Sequence, residues 1–109
     1  MNNDESTDLT TQISHFLSRT ANAHDSFEQE SLGGKRDDEW AKWYAQYMLD
    51  NGFLDLFSDA AQRGRLRDHL DAILADADVS HRATAPSEHW PDYYARYLVG
   101  VAAGHTKAQ

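Results

Sequence analysis

"DDEWAKWYAQYML" fills Asp37–Leu49, and "SEHWPDYYARYLV" fills Ser87–Val99, fifty residues further on. Trp40, Tyr44, Ala45 and Tyr47 recur as Trp90, Tyr94, Ala95 and Tyr97, and Trp43, Met48 and Leu49 face Tyr93, Leu98 and Val99. Within each stretch the large side chains fall three and four residues apart, the spacing of one helix face. The same offset aligns Phe16 with Leu66, Thr20 with Leu70, Ala23 with Ile73 and Phe27 with Ala77. The repeated unit is therefore a helical hairpin, whose apolar stripe can be buried only against a second copy. The sequence predicts an all-α, four-helix domain of two hairpins related by a pseudo-two-fold axis.

Working outward, the chain divides into an acidic tail over residues 1–8, expected to be disordered, and one helical domain over 9–109. Its repeat units span about 9–52 and 58–104. The first helix carries Leu9, Ile13, Phe16, Leu17, Thr20, His24 and Phe27 inward, and "SLGG" offers Gly33 or Gly34 as its left-handed stop. Asp37 or Asp38 is the expected cap of the second helix, and "DNGF" (Asp50–Phe53) its end. "LDLF" (Leu54–Phe57) reads as a short apolar connection. Ser58 is the expected cap of a third helix with Ala61, Leu66, Leu70, Ile73, Leu74 and Ala77 inward. "SHRATAPS" (Ser80–Ser87) reads as a loop. The fourth helix starts from Ser87 or with Pro91 in its first turn, where a missing N–H does little harm, and runs to about Gly104.

Composition narrows the function classes. Lys and Arg number 10 against 18 Asp and Glu, a formal charge of −8 that repels phosphate backbones and argues against nucleic acid as a partner. With no cysteine, disulfides and thiolate metal sites are excluded. "MNNDESTD" is unlike the basic and then apolar start of a signal peptide, and "YLVGVAAG" is far too short to span a bilayer. A cytoplasmic protein without membrane contact is expected. Gly-rich phosphate loops, G-x-S-x-G and H-E-x-x-H are all missing.

Two features carry the candidate chemistry. A Tyr-rich stripe is a costly core unless its hydroxyls find partners, so Trp40, Tyr44, Tyr47, Trp90, Tyr94 and Tyr97 are the candidate ligand-binding residues, walling a cleft between the second and fourth helices. The bland reading of the same stripe is core. His24 is the anomaly of the register, because its counterpart is Leu74, while Glu28 matches Asp78. His24 and Glu28 share a helix face and are the candidate catalytic pair, with His24 as base and Glu28 orienting it. As metal ligands they lack a third partner, so neither a metal nor any other cofactor is expected.

The pattern A-H-x-x-F-E, a Gly turn, then D-x-x-W-A-x-W-Y-A-x-Y-M resembles a group of small, acidic, uncharacterised bacterial helical proteins. Those proteins pair a similar His/Glu helix with a Trp-Pro/Ala-x-Trp-Tyr-Ala-x-Tyr helix. The matching positions are His24, Phe27, Glu28, Trp40, Trp43, Tyr44, Ala45 and Tyr47, and the similarity is tightest over Ala23–Met48. The turn "SLGGKRDD" is longer here. The resemblance implies the hairpin and its boundaries and no chemistry.

The function expected from these features is a helical binding module that engages a small ligand or a partner protein through the Trp/Tyr-lined cleft. Its alternatives are a small acid/base enzyme built on His24 and Glu28, and an oligomer-forming adaptor. For the adaptor, Gly100 and Gly104 would let two copies approach closely as a homodimer.

Overall fold

The computed structural model describes residues 5–35 and 37–104, with the backbone alone for residues 5–8. Four helices occur in order: α1 (Glu5–Ser31), α2 (Trp40–Asp50), α3 (Ala60–Thr84) and α4 (Trp90–Ala102), with one tight helical turn at Phe53–Leu56 between α2 and α3. No strand occurs among the described residues, so the domain is an all-α four-helix domain. Each helix packs on its neighbours in the chain, and α1 also packs on α4, which closes the four into a ring.

Several boundaries differ from where the pattern puts them. α1 begins at Glu5, so Glu5–Asp8 are helical rather than tail. Residues 1–4 of the expected tail and 105–109 of the expected domain lie outside the described residues. Periodicity marks only where a helix starts to bury side chains, and acidic residues in a first turn are favoured by the helix dipole. The stop of α1 is as expected, with Gly33 and Gly34 at φ 64° and 85°. The Gly34 N–H donates back to the Glu28 carbonyl at 2.8 Å.

Neither Asp37 nor Asp38 caps α2. The residue before that helix is Glu39, which caps nothing with its side chain. Asp37 Oδ1 instead accepts the Glu39 N–H at 2.9 Å, closing a turn one step earlier. Gly52, at φ 90°, redirects the chain after α2, and Phe53 folds inward with no exposure. Asp59, not Ser58, caps α3: its carboxylate accepts the Ala61 and Gln62 N–H groups. That leaves Ala61 exposed rather than inward. α3 also runs through Thr84, so Ser80–Thr84 are helix, not loop; His81 and Arg82 in the last turn oppose the negative end of the helix dipole. His69 breaks the helical dihedrals midway (φ −136°, ψ 23°), a bend that side-chain periodicity does not reveal. Pro91 lies in the first turn of α4, where it can neither lose a hydrogen bond nor clash. α4 stops at Ala102, and Gly104, at φ 93°, lies beyond it, so Gly100 and Gly104 do not share one helical face.

The core is mainly aliphatic. Ile13, Leu17, Met48, Leu66, Leu70, Leu74 and Leu98 are sealed inside, with Phe16, Phe53 and Phe57 edge to face at one end. Two buried hydroxyls are satisfied: Thr20 donates to the Phe16 carbonyl, and Ser14 donates to Asp92 Oδ1 at 2.7 Å, tying α1 to α4. The aromatic stripes do not form this centre. Trp40, Tyr44, Tyr47, Trp90, Tyr93 and Tyr97 are half-buried against its edge, Trp43 is half-buried beside them, and Tyr94 is the only tyrosine of the described residues that is buried.

This division sets an expected outcome for mutants. Leu74→Ala removes a side chain with no exposure and should cost about 2–5 kcal/mol. Val79→Ser, at a position 59% exposed on the same helix, should stay within about 0.5 kcal/mol of wild type. Urea unfolding of both variants checks the assignment; equal losses would mean that α3 is turned differently about its axis.

Candidate functional site

Four rings meet across the gap between α2 and α4, which stand opposite one another in the ring of helices. Trp40 and Tyr44, one helical turn apart on α2, contact edge to face at 5.1 Å between centroids. Trp90 and Tyr94 on α4 repeat the contact at 5.0 Å. Tyr44 and Trp90 bridge the two helices at 6.4 Å. These rings wall a cavity of about 270 Å³, whose remaining lining is His24, Glu28, Asp37 and Asp78. Six of the eight lining residues form three pairs spaced by fifty: Glu28 with Asp78, Trp40 with Trp90, and Tyr44 with Tyr94. His24 and Asp37 break the pattern, since fifty residues on stand Leu74 and Ser87.

His24 and Asp37 are bonded to each other. His24 is only 6% exposed, and its Nε2 lies 2.9 Å from Asp37 Oδ2. Glu28, the expected partner one turn along α1, stands off at 3.9 Å from Nδ1, too far for a hydrogen bond. Glu28 acts through the loop instead: its Oε2 accepts the Asp37 backbone N–H at 2.8 Å and so positions the residue that holds the imidazole. The orienter of His24 is thus Asp37, with Glu28 behind it. The outer side of the imidazole is covered by Phe27, stacked at 5.9 Å, and Trp43 at 5.0 Å, while Tyr44 meets it edge-on at 5.3 Å.

The bond from His24 dominates the behaviour of Asp37. Helped by the Glu39 N–H and the nearby imidazole charge, it holds the carboxyl below its ordinary range, against the opposing effect of burial. An ionised Asp37 requires a proton on Nε2, so neutral His24 keeps its lone pair on Nδ1. No hydrogen bond from the described residues reaches that atom.

The opposite wall belongs to α3. The Tyr94 hydroxyl donates to Asp78 Oδ1 at 2.8 Å, and Arg82, 68% exposed, pairs with the other Asp78 oxygen from outside at 2.9 Å. Burial first, then this bond to a carboxylate, pushes the Tyr94 phenol far above its usual value. Burial, together with the Glu28 and Asp78 charges, raises Tyr44 to about 12. Both phenols therefore remain neutral donors at any physiological pH.

Of the residues read from sequence as the site, Trp40, Tyr44, Trp90 and Tyr94 line the cavity beside His24 and Glu28. Tyr47 lies outside the lining, stacked on Trp43 at 5.4 Å, and Tyr97 is outside it as well. Asp37 escapes a sequence reading because it looks like a helix cap. Asp78 is visible there only as the counterpart of Glu28. Among the described residues no group of three or more His, Asp or Glu side chains is arranged to hold a metal ion, and no helix is long and apolar enough to cross a membrane. No family model, curated protein or solved structure matches the chain.

These shifts set the pH dependence. The unfolded phenols ionise near pH 10, below their folded values, so the stability they contribute is complete below about pH 10 and lost as pH rises through the folded values. Asp37, depressed in the folded state, contributes above about pH 4 and loses that contribution as pH falls below it. Circular dichroism across pH should show alkaline unfolding above about pH 10 that is shallower in a Tyr44→Phe, Tyr94→Phe double variant. Identical alkaline profiles would mean that the phenols are solvated.

Proposed function

We propose that the chain is a binding module that takes a small ligand into the cavity walled by Trp40, Tyr44, Trp90 and Tyr94. What carries this reading is His24: a ring almost wholly buried that lines the cavity, fixed through one nitrogen, with no hydrogen bond from the described residues to the other. A buried polar atom without a partner is destabilising, and such sites persist where a ligand supplies the missing bond. Placing Leu at position 24, as the other hairpin does at Leu74, would avoid that penalty. A cavity of about 270 Å³ suits a ligand of few heavy atoms.

The acid/base alternative keeps one supporting observation, with a changed cast. Asp37 holds His24 through Nε2, which makes Nδ1 the basic nitrogen of the neutral ring, and His24 lines the cavity. The proposal also includes a pseudo-two-fold relation between the α1–α2 and α3–α4 hairpins, supported by the paired lining residues. In an experimental structure the hairpins should superpose by a rotation near 180°; a rotation far from two-fold would remove that part of the reading.

Ligand-observed NMR with a diverse fragment library, followed by titration of the indole N–H resonances, tests the binding reading. Hits should shift Trp40 and Trp90 saturably and leave Trp43 less affected. His24→Leu, which exchanges the Asp37 bond for apolar burial, should stay folded and lose the hits. A library that moves no indole signal, or a folded His24→Leu that keeps every hit, would overturn it.

A further inference from the structure

The chemistry of the cavity wall is one-sided. Glu28, Asp37 and Asp78 bring three carboxylates to it, and among its described lining residues there is no Lys or Arg. The acceptors outnumber the claims on them. Among the described residues Glu28 accepts one backbone N–H, through Oε2, and no hydrogen bond reaches His24 Nδ1, an acceptor in the neutral ring. Arg82 offsets one carboxylate, but from the solvent side. Around these acceptors stand the four rings, whose π faces attract positive charge, and no buried cation among the described residues already occupies them. An anion would meet three like charges there. A neutral apolar ligand would leave the acceptors desolvated and unpaired.

We infer that the ligand of this cavity is an organic cation with N–H donors, an alkylammonium head seated among Trp40, Tyr44, Trp90 and Tyr94 with its protons on Glu28 and His24 Nδ1. This rests on the binding reading above and gives it a ligand class. Glu28 Oε2, which holds the Asp37 N–H, stands 3.9 Å from His24 Nδ1, and Oε1 of the same carboxylate carries no hydrogen bond from the described residues, so one ammonium group can donate to both side chains. The rings supply the part of the attraction that water screens least, because they exclude solvent as they face the charge. The paired wall has a further use: the Glu28 and Asp78 carboxylates stand on helices of different hairpins, so a head seated between them is drawn from both sides. The same head can be presented by a free amine or by the lysine side chain of a partner protein.

Isosteres separate charge from shape. Calorimetric titration of the whole chain at neutral pH with n-butylammonium, n-butanol and butyrate should show butylammonium binding at least about tenfold more tightly than either isostere. Glu28→Gln keeps an oxygen for the Asp37 N–H and should lower butylammonium affinity by about tenfold while leaving the circular dichroism spectrum unchanged. Added salt should weaken the interaction. Acetylated, amidated lysine as a further ligand identifies the source: tighter than butylammonium, the head belongs to a protein side chain; equal or weaker, to a free amine. Butanol or butyrate binding as tightly as the amine, or Glu28→Gln binding it unchanged, would overturn the cation assignment and leave the binding reading standing. If none of the four ligands binds and the fragment library is also silent, both readings fall.

Discussion

Short helices cannot stand alone in water, and two of the four here have only 11 and 13 residues. α2 and α4 exist because α1 and α3, each about twice as long, offer them an apolar flank. Everything distinctive stems from that dependence. The aliphatic side chains that do the supporting occupy the middle, and the bulky rings of the short helices are pushed to the rim. There a Trp or Tyr can bury its face and still keep its polar atom near water or a partner. The rim is where the rings of α2 and α4 enclose space, so the packing problem of two short helices also creates the cavity.

The two walls of that cavity are secured differently. On the α3–α4 side, the carboxylate takes its hydrogen bond directly from a phenol, Tyr94 to Asp78. On the α1–α2 side, the carboxylate of Glu28 is spent on the backbone of the loop, and a second carboxylate, Asp37, is brought in to hold His24. A histidine buried on α1 is held by this extra support, and the loop between α1 and α2 provides it.

Much of the architecture is legible in the sequence because burial follows period. Helix count, the glycine stops after α1 and α2, and the inward set of α3 from Leu66 to Ala77 all come from spacing and backbone chemistry. The errors lie at helix starts and in a loop. Aspartates at 37, 38 and 59 and a serine at 58 are equally good caps on paper, and only the path of the chain decides which is used. The tail at Glu5–Asp8 and the segment Ser80–Thr84 are polar stretches that a helix already under way can absorb, and periodicity is blind to them. The site is half legible. The rings and His24 stand out as stripe and anomaly, but Asp37 reaches His24 across thirteen residues of chain, through a turn whose course no local pattern encodes.

The link from Glu28 to the Asp37 backbone also divides the α1–α2 connection into two parts with different tolerance for edited length. Gly33, Gly34 and Lys35 are exposed, and residues inserted there would bulge into solvent without moving Asp37. Between Asp37 and Trp40 the chain is already committed, by its bonds to Glu28, His24 and Glu39 at one end and by the first turn of α2 at the other. A single residue added there would rotate α2 by about 100° against its anchor and carry Trp40 and Tyr44 off the cavity wall. A fusion tag or grafted epitope therefore belongs on the glycine side of Asp37, and a lineage of such chains could vary in turn length there while keeping the spacing from Asp37 to Tyr44 fixed.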